Sequence, residues 1–102
     1  MAKPKQGKRY GMMARVSHKT KWFGKEPGHM RVMLEDVIFL HNGKMFRDHV
    51  WVPVRRVKGH APGEYIRFTA IAEPYYRSNE TVGFTLTKIR KVQHLQCPIS
   101  DV

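Results

Sequence analysis

The chain has 102 residues, enough for one domain with a modest core, and at 41% hydrophobic it is too apolar to be compositionally disordered. Its 19 Lys and Arg against 8 Asp and Glu leave a net charge of +11, which points to a polyanionic partner, nucleic acid first and an anionic membrane surface second. A single cysteine, Cys97, excludes an intramolecular disulfide and suits a reducing cytosol; no stretch has the ~18 apolar residues of a membrane span, and no apolar run follows the basic N-terminus as in a secretory signal.

Residues 1–9 read as a basic tail with Lys3, Lys5, Lys8 and Arg9, either a solvated terminus or an arm that follows phosphates. The first strand is expected over about 10–23. There Tyr10, Met12, Ala14 and Val16 alternate with Arg15, Ser17, Lys19 and Lys21. A period of two puts the sets on opposite faces, one for a core and one presenting cations. Gly24, Pro27 and Gly28 break the pattern. The second strand is expected over about 30–40 and the third over Met45 to about Val54, joined through Asn42-Gly43. Asn-Gly between two β-rich runs signals a hairpin with a type I′ turn, which needs φ > 0 at both central residues. A two-residue loop would set Leu40 opposite Met45, Phe39 opposite Phe46 and Asp36 opposite His49. Neither face is then cleanly apolar, so either a bulge shifts the register near Glu35-Asp36 or both faces are partly covered.

Residues 54–63 form a connection that carries Arg55, Arg56 and Lys58, with at most one helical turn at 54–60, and Ala61-Pro62-Gly63 is a turn. The fourth strand, about 64–73, sends Ile66, Phe68, Ala70 and Ala72 one way and Tyr65, Arg67, Thr69, Ile71 and Glu73 the other. Pro74 is expected to end regular pairing, with a loop from Tyr75 through Glu80. The fifth strand, about 81–92, carries Val82, Phe84 and Leu86 on one face, ends in Lys88-Ile-Arg90-Lys91, and is followed by a tail over 93–102.

Five antiparallel strands in about 100 residues bury their apolar faces most economically as a small closed or partly open barrel. Pro62-Gly63-Glu64-Tyr65-Ile66-Arg67-Phe68-Thr69-Ala70 resembles the Gly-acidic-x-Ile-x-Phe-x-Ala start of a strand in OB-fold domains, and SH3-like barrels begin strands in a similar way. Over residues 10–92 the pattern resembles small bacterial or phage single-strand-binding and cold-shock-like OB domains. The resemblance implies a nucleic-acid-binding barrel. The chain departs from cold-shock proteins in lacking an aromatic-rich RNP-like run, so no stacking position is carried over from that family.

Single-strand binders combine cations with aromatic platforms, because every nucleotide offers a phosphate and a π-face. Here Trp22 and Phe23 follow Lys19 and Lys21, Tyr65 precedes Arg67, and Tyr75 and Tyr76 precede Arg77. Trp51 and Phe68 read as core. Cations on a free sheet face also guard strand edges, which accounts for only part of the surplus. No Gly-rich phosphate loop or nucleophile elbow is present. Asp36 opposite His49, with Glu35 and Asp48 nearby, is the one acid/base-like cluster, and it reads as an ordinary cross-strand ion pair rather than a catalytic site. His94-x-x-Cys97 has a two-ligand spacing, short of the four a structural zinc needs.

The sequence therefore predicts an all-β, five-stranded antiparallel OB-like barrel with a basic N-terminal tail, cytoplasmic and without a cofactor or metal. The expected activity is non-enzymatic binding of nucleic acid, single strands favoured, through Arg15, Lys19, Lys21, Arg67, Arg77, Lys88 and Arg90, with Trp22, Tyr75 and Tyr76 stacking. The alternative is a protein-interaction factor, of the kind phages and mobile elements encode, that docks on or inhibits a nucleoprotein machine.

Overall fold

Tyr10, Met12, Ala14 and Val16, the apolar half of the first alternation, all point into one buried core. Their strand, β1 (Arg9–Trp22), pairs on one side with β2 (Met30–Phe39) and on the other with β4 (Tyr65–Tyr76). β3 (Met45–Pro53) extends the sheet beyond β2, and β5 (Val82–Leu95) extends it beyond β4, giving the order β3-β2-β1-β4-β5 with every pairing antiparallel. The computed structural model describes residues 5, 7–22, 30–76 and 82–95. Within them the fold is all-β, and the single helical element is a 3-10 turn at Val54–Val57.

The core draws Leu34, Val37 and Phe39 from β2 and Phe46, Val50 and Val52 from β3. It draws Ile66, Phe68, Ala70 and Ala72 from β4, as the alternation predicts, and Leu86 and Ile89 from β5. Because both halves feed one interior, the sheet curls until its edge strands β3 and β5 touch. Phe46 and Phe84 meet edge-on across this seam with ring centroids 6.3 Å apart, and the Arg47 guanidinium lies 5.9 and 5.7 Å from the two rings. No backbone ladder joins β3 to β5 among the described residues, and Phe46, Phe84 and Arg47 make side-chain contact across this seam. Tyr10, Phe39 and Phe46 continue the aromatic packing, with centroids 4.9 and 5.5 Å apart. Beyond the opposite end of β3, the 3-10 turn buries Val57 and packs on β2, β3 and β5.

Bulges decide which residues face inward. Met13 pairs with Ile38 and Arg15 with Glu35, so β2 carries one residue too many, and that residue is Asp36 at φ 53°. Leu34 points inward before it, and Val37 and Phe39 point inward after it. This bulge resolves the conflict that a regular hairpin left between its two faces. β5 uses the device twice. Ile71 pairs with Thr87, Thr69 with Arg90 and Arg67 with Gln93, which leaves Lys88 (φ 51°) and Lys91 (φ 55°) as the extra residues. The inward side chains then fall at Leu86, Ile89 and Val92, three apart.

Four expectations are corrected. The hairpin loop is Leu40–Gly43 rather than Asn42-Gly43, closed by Phe39 N–H to the Lys44 carbonyl at 2.9 Å and Gly43 N–H to the Phe39 carbonyl at 2.9 Å. Only Gly43 has positive φ in it, so no type I′ turn forms, and Met45 lies opposite Ile38 rather than Leu40. The loop also folds back on β1, where Leu40 N–H donates to the Gly11 carbonyl at 3.0 Å. A Cβ on Gly11 would come within 3.3 Å of Leu40 Cδ1, so the Leu40 side chain would have to shift by a few tenths of an ångström to admit one. Pro74 does not end pairing: it lies opposite Phe84, and Tyr75 and Tyr76 pair with Gly83 and Val82 within β4 rather than forming a loop. The β1 ladder has already stopped at Ile71, so on that side the missing proline N–H loses no bond. β5 continues through Gln93, His94 and Leu95, residues expected in a tail. Trp51 is not core; Val50 and Val52 take the inward positions, and Trp51 lies opposite Met33 on the outer side.

Candidate nucleic-acid interface

Since β1 sends its even residues inward, its odd residues share the outer face with β4 and β5, and register sets their neighbours. Arg9 lies opposite Ile71, which lies opposite Thr87. Gly11 is followed across the sheet by Thr69 and Arg90, and Met13 by Arg67 and Gln93. Arg15 is followed by Tyr65 and Leu95. Arg67 and Arg90 are thus diagonal neighbours, about 7–8 Å apart by sheet geometry. The Arg9 guanidinium crosses β4 to donate from Nη1 to Thr69 Oγ1 at 3.0 Å and to the Lys88 carbonyl at 2.9 Å, which holds it flat on this face. Arg15 is the member of the group with a carboxylate partner among the described residues, Glu35 at 3.4 Å.

A second cationic surface adjoins the first at β5. A cleft of about 210 Å³ opens between β5 and the junction of β3 with the 3-10 turn. Arg31 of β2, Arg55 and Arg56 of the turn and Lys88 of β5 line it, with no carboxylate among its described lining residues. In register with Arg31 stands Lys21 of β1, whose neighbour Trp22 is 58% exposed.

The ten residues expected to form one site are therefore distributed. Arg15, Arg67 and Arg90 share the outer face of β1, β4 and β5. Lys88 is turned out of that series by its bulge and lines the cleft. Lys19, Lys21 and Trp22 sit on the far arm of β1, beyond the start of β4. Tyr75 and Tyr76 lie beyond the other end of the β1/β4 ladder, so the register does not bring them beside Trp22. Arg77, Phe23 and Cys97 lie outside the described residues. Arg9, Arg31, Arg55 and Arg56 were absent from the expected set. Arg55-Arg56 after Pro53 was a readable signal for the pair; the others depended on register.

The acid/base-like cluster does not assemble. His49 lies opposite Glu35, which is bound to Arg15, and its Nδ1 is 3.0 Å from Asp48 Oδ1, while Asp36 occupies its bulge. A different carboxylate is well held. Glu64 Oε2 is bonded to His60 Nδ1 and lies 3.1 Å from His94 Nδ1, and Glu64 Oε1 accepts from Ala61 N–H at 3.4 Å. The His60 hydrogen bond is the main cause that holds this carboxyl below its usual range, with His94, Ala61 and the His60 charge adding to it and partial burial opposing. Among the described residues no cluster of three or more His, Cys, Asp or Glu is arranged to hold a metal ion. No helix among them is long and apolar enough to cross a membrane. No family model, no curated protein and no solved structure matches this chain, so its interface is read from its own geometry.

Proposed function

We propose that this chain is a non-enzymatic nucleic-acid-binding protein of OB type that takes single-stranded DNA or RNA across the outer face of β1, β4 and β5. The observation that carries the reading is the group Arg9, Arg67 and Arg90 on one face, none with a carboxylate partner among the described residues. Such a group displaces condensed counterions from a phosphate chain, and the release of those ions drives binding. The OB assignment is supported by the strand order, by β1 being shared between two ladders, and by the sheet staying open between β3 and β5. Trp22 is exposed on the arm of β1 that runs past β4, so it is a stacking candidate for a strand that continues beyond the β1/β4/β5 face.

The test is fluorescence anisotropy with short single-stranded DNA, single-stranded RNA and duplex over a salt series. Saturable binding that prefers single strands is expected. Arg67→Gln with Arg90→Gln should lower the salt slope by about 1.4, at ~0.7 per phosphate contact on a single strand. An unchanged slope rules this face out. Weak, non-saturating binding to every oligonucleotide favours the second reading, a protein-docking face, for which Ile38 beside Met13 and the exposed Met45 supply apolar surface.

A further inference from the structure

The cleft between β5 and the 3-10 turn is lined by cationic side chains, with no carboxylate among its described lining residues. Arg31, Arg55, Arg56 and Lys88 converge on about 210 Å³. Lys88 reaches it only through a backbone at φ 51°, a conformation that glycine adopts freely and that costs an L-residue roughly 1–2 kcal/mol. Lys91 has the same conformation at φ 55° but does not line the cleft, so what sets Lys88 apart is its place there beside Arg55 and Arg56. β5 has no hydrogen-bonded neighbour on this side among the described residues, so backbone groups that point away from β4 also border the cleft. Its floor, Thr85 to Ile89, runs directly behind the outer face, and the Arg9 bond to the Lys88 carbonyl links the two surfaces.

We propose that this cleft is a phosphate subsite that takes the terminal phosphate monoester of a strand lying on the β1/β4/β5 face. The anion follows from the cleft itself; the strand rests on the nucleic-acid reading above. A phosphodiester brings one negative charge, whereas a monoester carries about −1.5 to −2 at pH 7 and offsets more of the positive charge of Arg55, Arg56 and Lys88. A cavity of this size, walled by Pro53 and the turn, suits a chain end better than a continuous strand.

The experiment compares one oligonucleotide of about ten nucleotides, within the site size of an OB unit, bearing a 5′-phosphate, a 3′-phosphate or hydroxyls at both ends. One phosphorylated end should bind about two- to fivefold tighter than the hydroxyl form, the range of partly exposed ion pairs, and which end it is gives the polarity of the strand. Lys88→Asn, which tolerates the left-handed backbone, and the pair Arg55→Gln with Arg56→Gln should abolish that preference while leaving binding of the hydroxyl form in place. Lys88→Arg should keep it. Equal binding of all three ends by the unaltered protein, or a preference that survives Lys88→Asn and the double variant, overturns the subsite and leaves the face reading intact. Absence of binding to any oligonucleotide overturns the nucleic-acid reading and this proposal with it.

Discussion

Lys88 and Lys91 share one backbone conformation, φ 51° and 55°, and each is a residue that β5 has in excess over β4. Their spacing of three keeps Ile89 and Val92 directed at the core while Arg90 and Gln93 face outward beside Thr69 and Arg67. Without the first bulge, the even positions after Leu86 would carry Lys88 and Arg90 inward. The bulges thus make a strongly basic sequence compatible with a buried strand face.

Replacing Lys91, which lies outside the cleft lining, isolates this effect. Lys91→Gly should stabilise the protein by about 0.5–1 kcal/mol, the relief of left-handed strain less the added entropy of glycine in the unfolded chain. Lys91→Val should destabilise it by more than 1 kcal/mol, since a β-branched residue at positive φ is a steric outlier. Urea unfolding of both variants measures this. Equal stability of the two would mean that the bulge is not held in this conformation.

Gly63 stands at φ 87° and donates its N–H to the Val16 carbonyl at 2.7 Å, ahead of Glu64. Nothing lies within 4 Å of a Cβ built there, so the penalty of Gly63→Ala is conformational alone, about 1–2 kcal/mol. Gly63→Asn should lose about half as much, because Asn visits this region more readily. A Gly63→Ala variant as stable as the parent in urea would refute the assignment.

Glu64 carries a pH signature. Its folded-state pKa lies below the ordinary 4.5, chiefly through the His60 hydrogen bond, so in acid the unfolded chain binds the proton first. The resulting stability is fully present above about pH 5 and is lost as pH falls through the folded-state value. The stability gap between the parent and Glu64→Gln should therefore narrow steadily below about pH 5. Denaturant midpoints taken from pH 7 down to 3 report it, and a gap independent of pH would show that the carboxylate is not held by its histidines.

The β3–β5 seam should behave as side-chain closure. Phe84→Ala should cost about 2–3 kcal/mol, somewhat less than a fully buried phenylalanine because Phe84 is only partly buried. A double-mutant cycle of Arg47→Ala with Phe84→Ala should return a coupling of about 0.5–1 kcal/mol from the cation–π contact. Zero coupling would mean that Arg47 only rests near the ring.

The parts of the fold legible in the sequence are those with an unbroken period of two. Tyr10 to Val16 and Ile66 to Ala72 each expose their inward set directly, and both sets are in the core. The bulge at Asp36 was readable as a conflict, because Leu34 and Phe39 cannot share a face in a regular strand. The hairpin register was not readable. Phe39 and Phe46 pack ring to ring at 5.5 Å, and that packing together with the Leu40 contact on Gly11 sets the loop length, overriding the local Asn-Gly preference. In β5 the three-residue spacing of Leu86, Ile89 and Val92 belongs to neither strand nor helix period, so the faces of Lys88 and Arg90 could not be separated. Each bulge reverses the face of the residues that follow it, so alternation alone does not assign the β5 cations to a face.

The position of β1 between two ladders also governs how the chain reaches its native state. Arg9 bonds to Thr69, 60 residues later, whereas β2 with β3 and β4 with β5 are joined by short connections. Both hairpins can form early; the β1–β4 ladder must await closure of the long loop, which places folding in the slow, non-local regime of roughly milliseconds to seconds. On a ribosome adding about 5–20 residues per second, the β4-facing edge of β1 stays unmatched for roughly 3–12 s while those 60 residues are made. The basic residues of β1 thus keep a nascent edge solvated before they serve a finished surface.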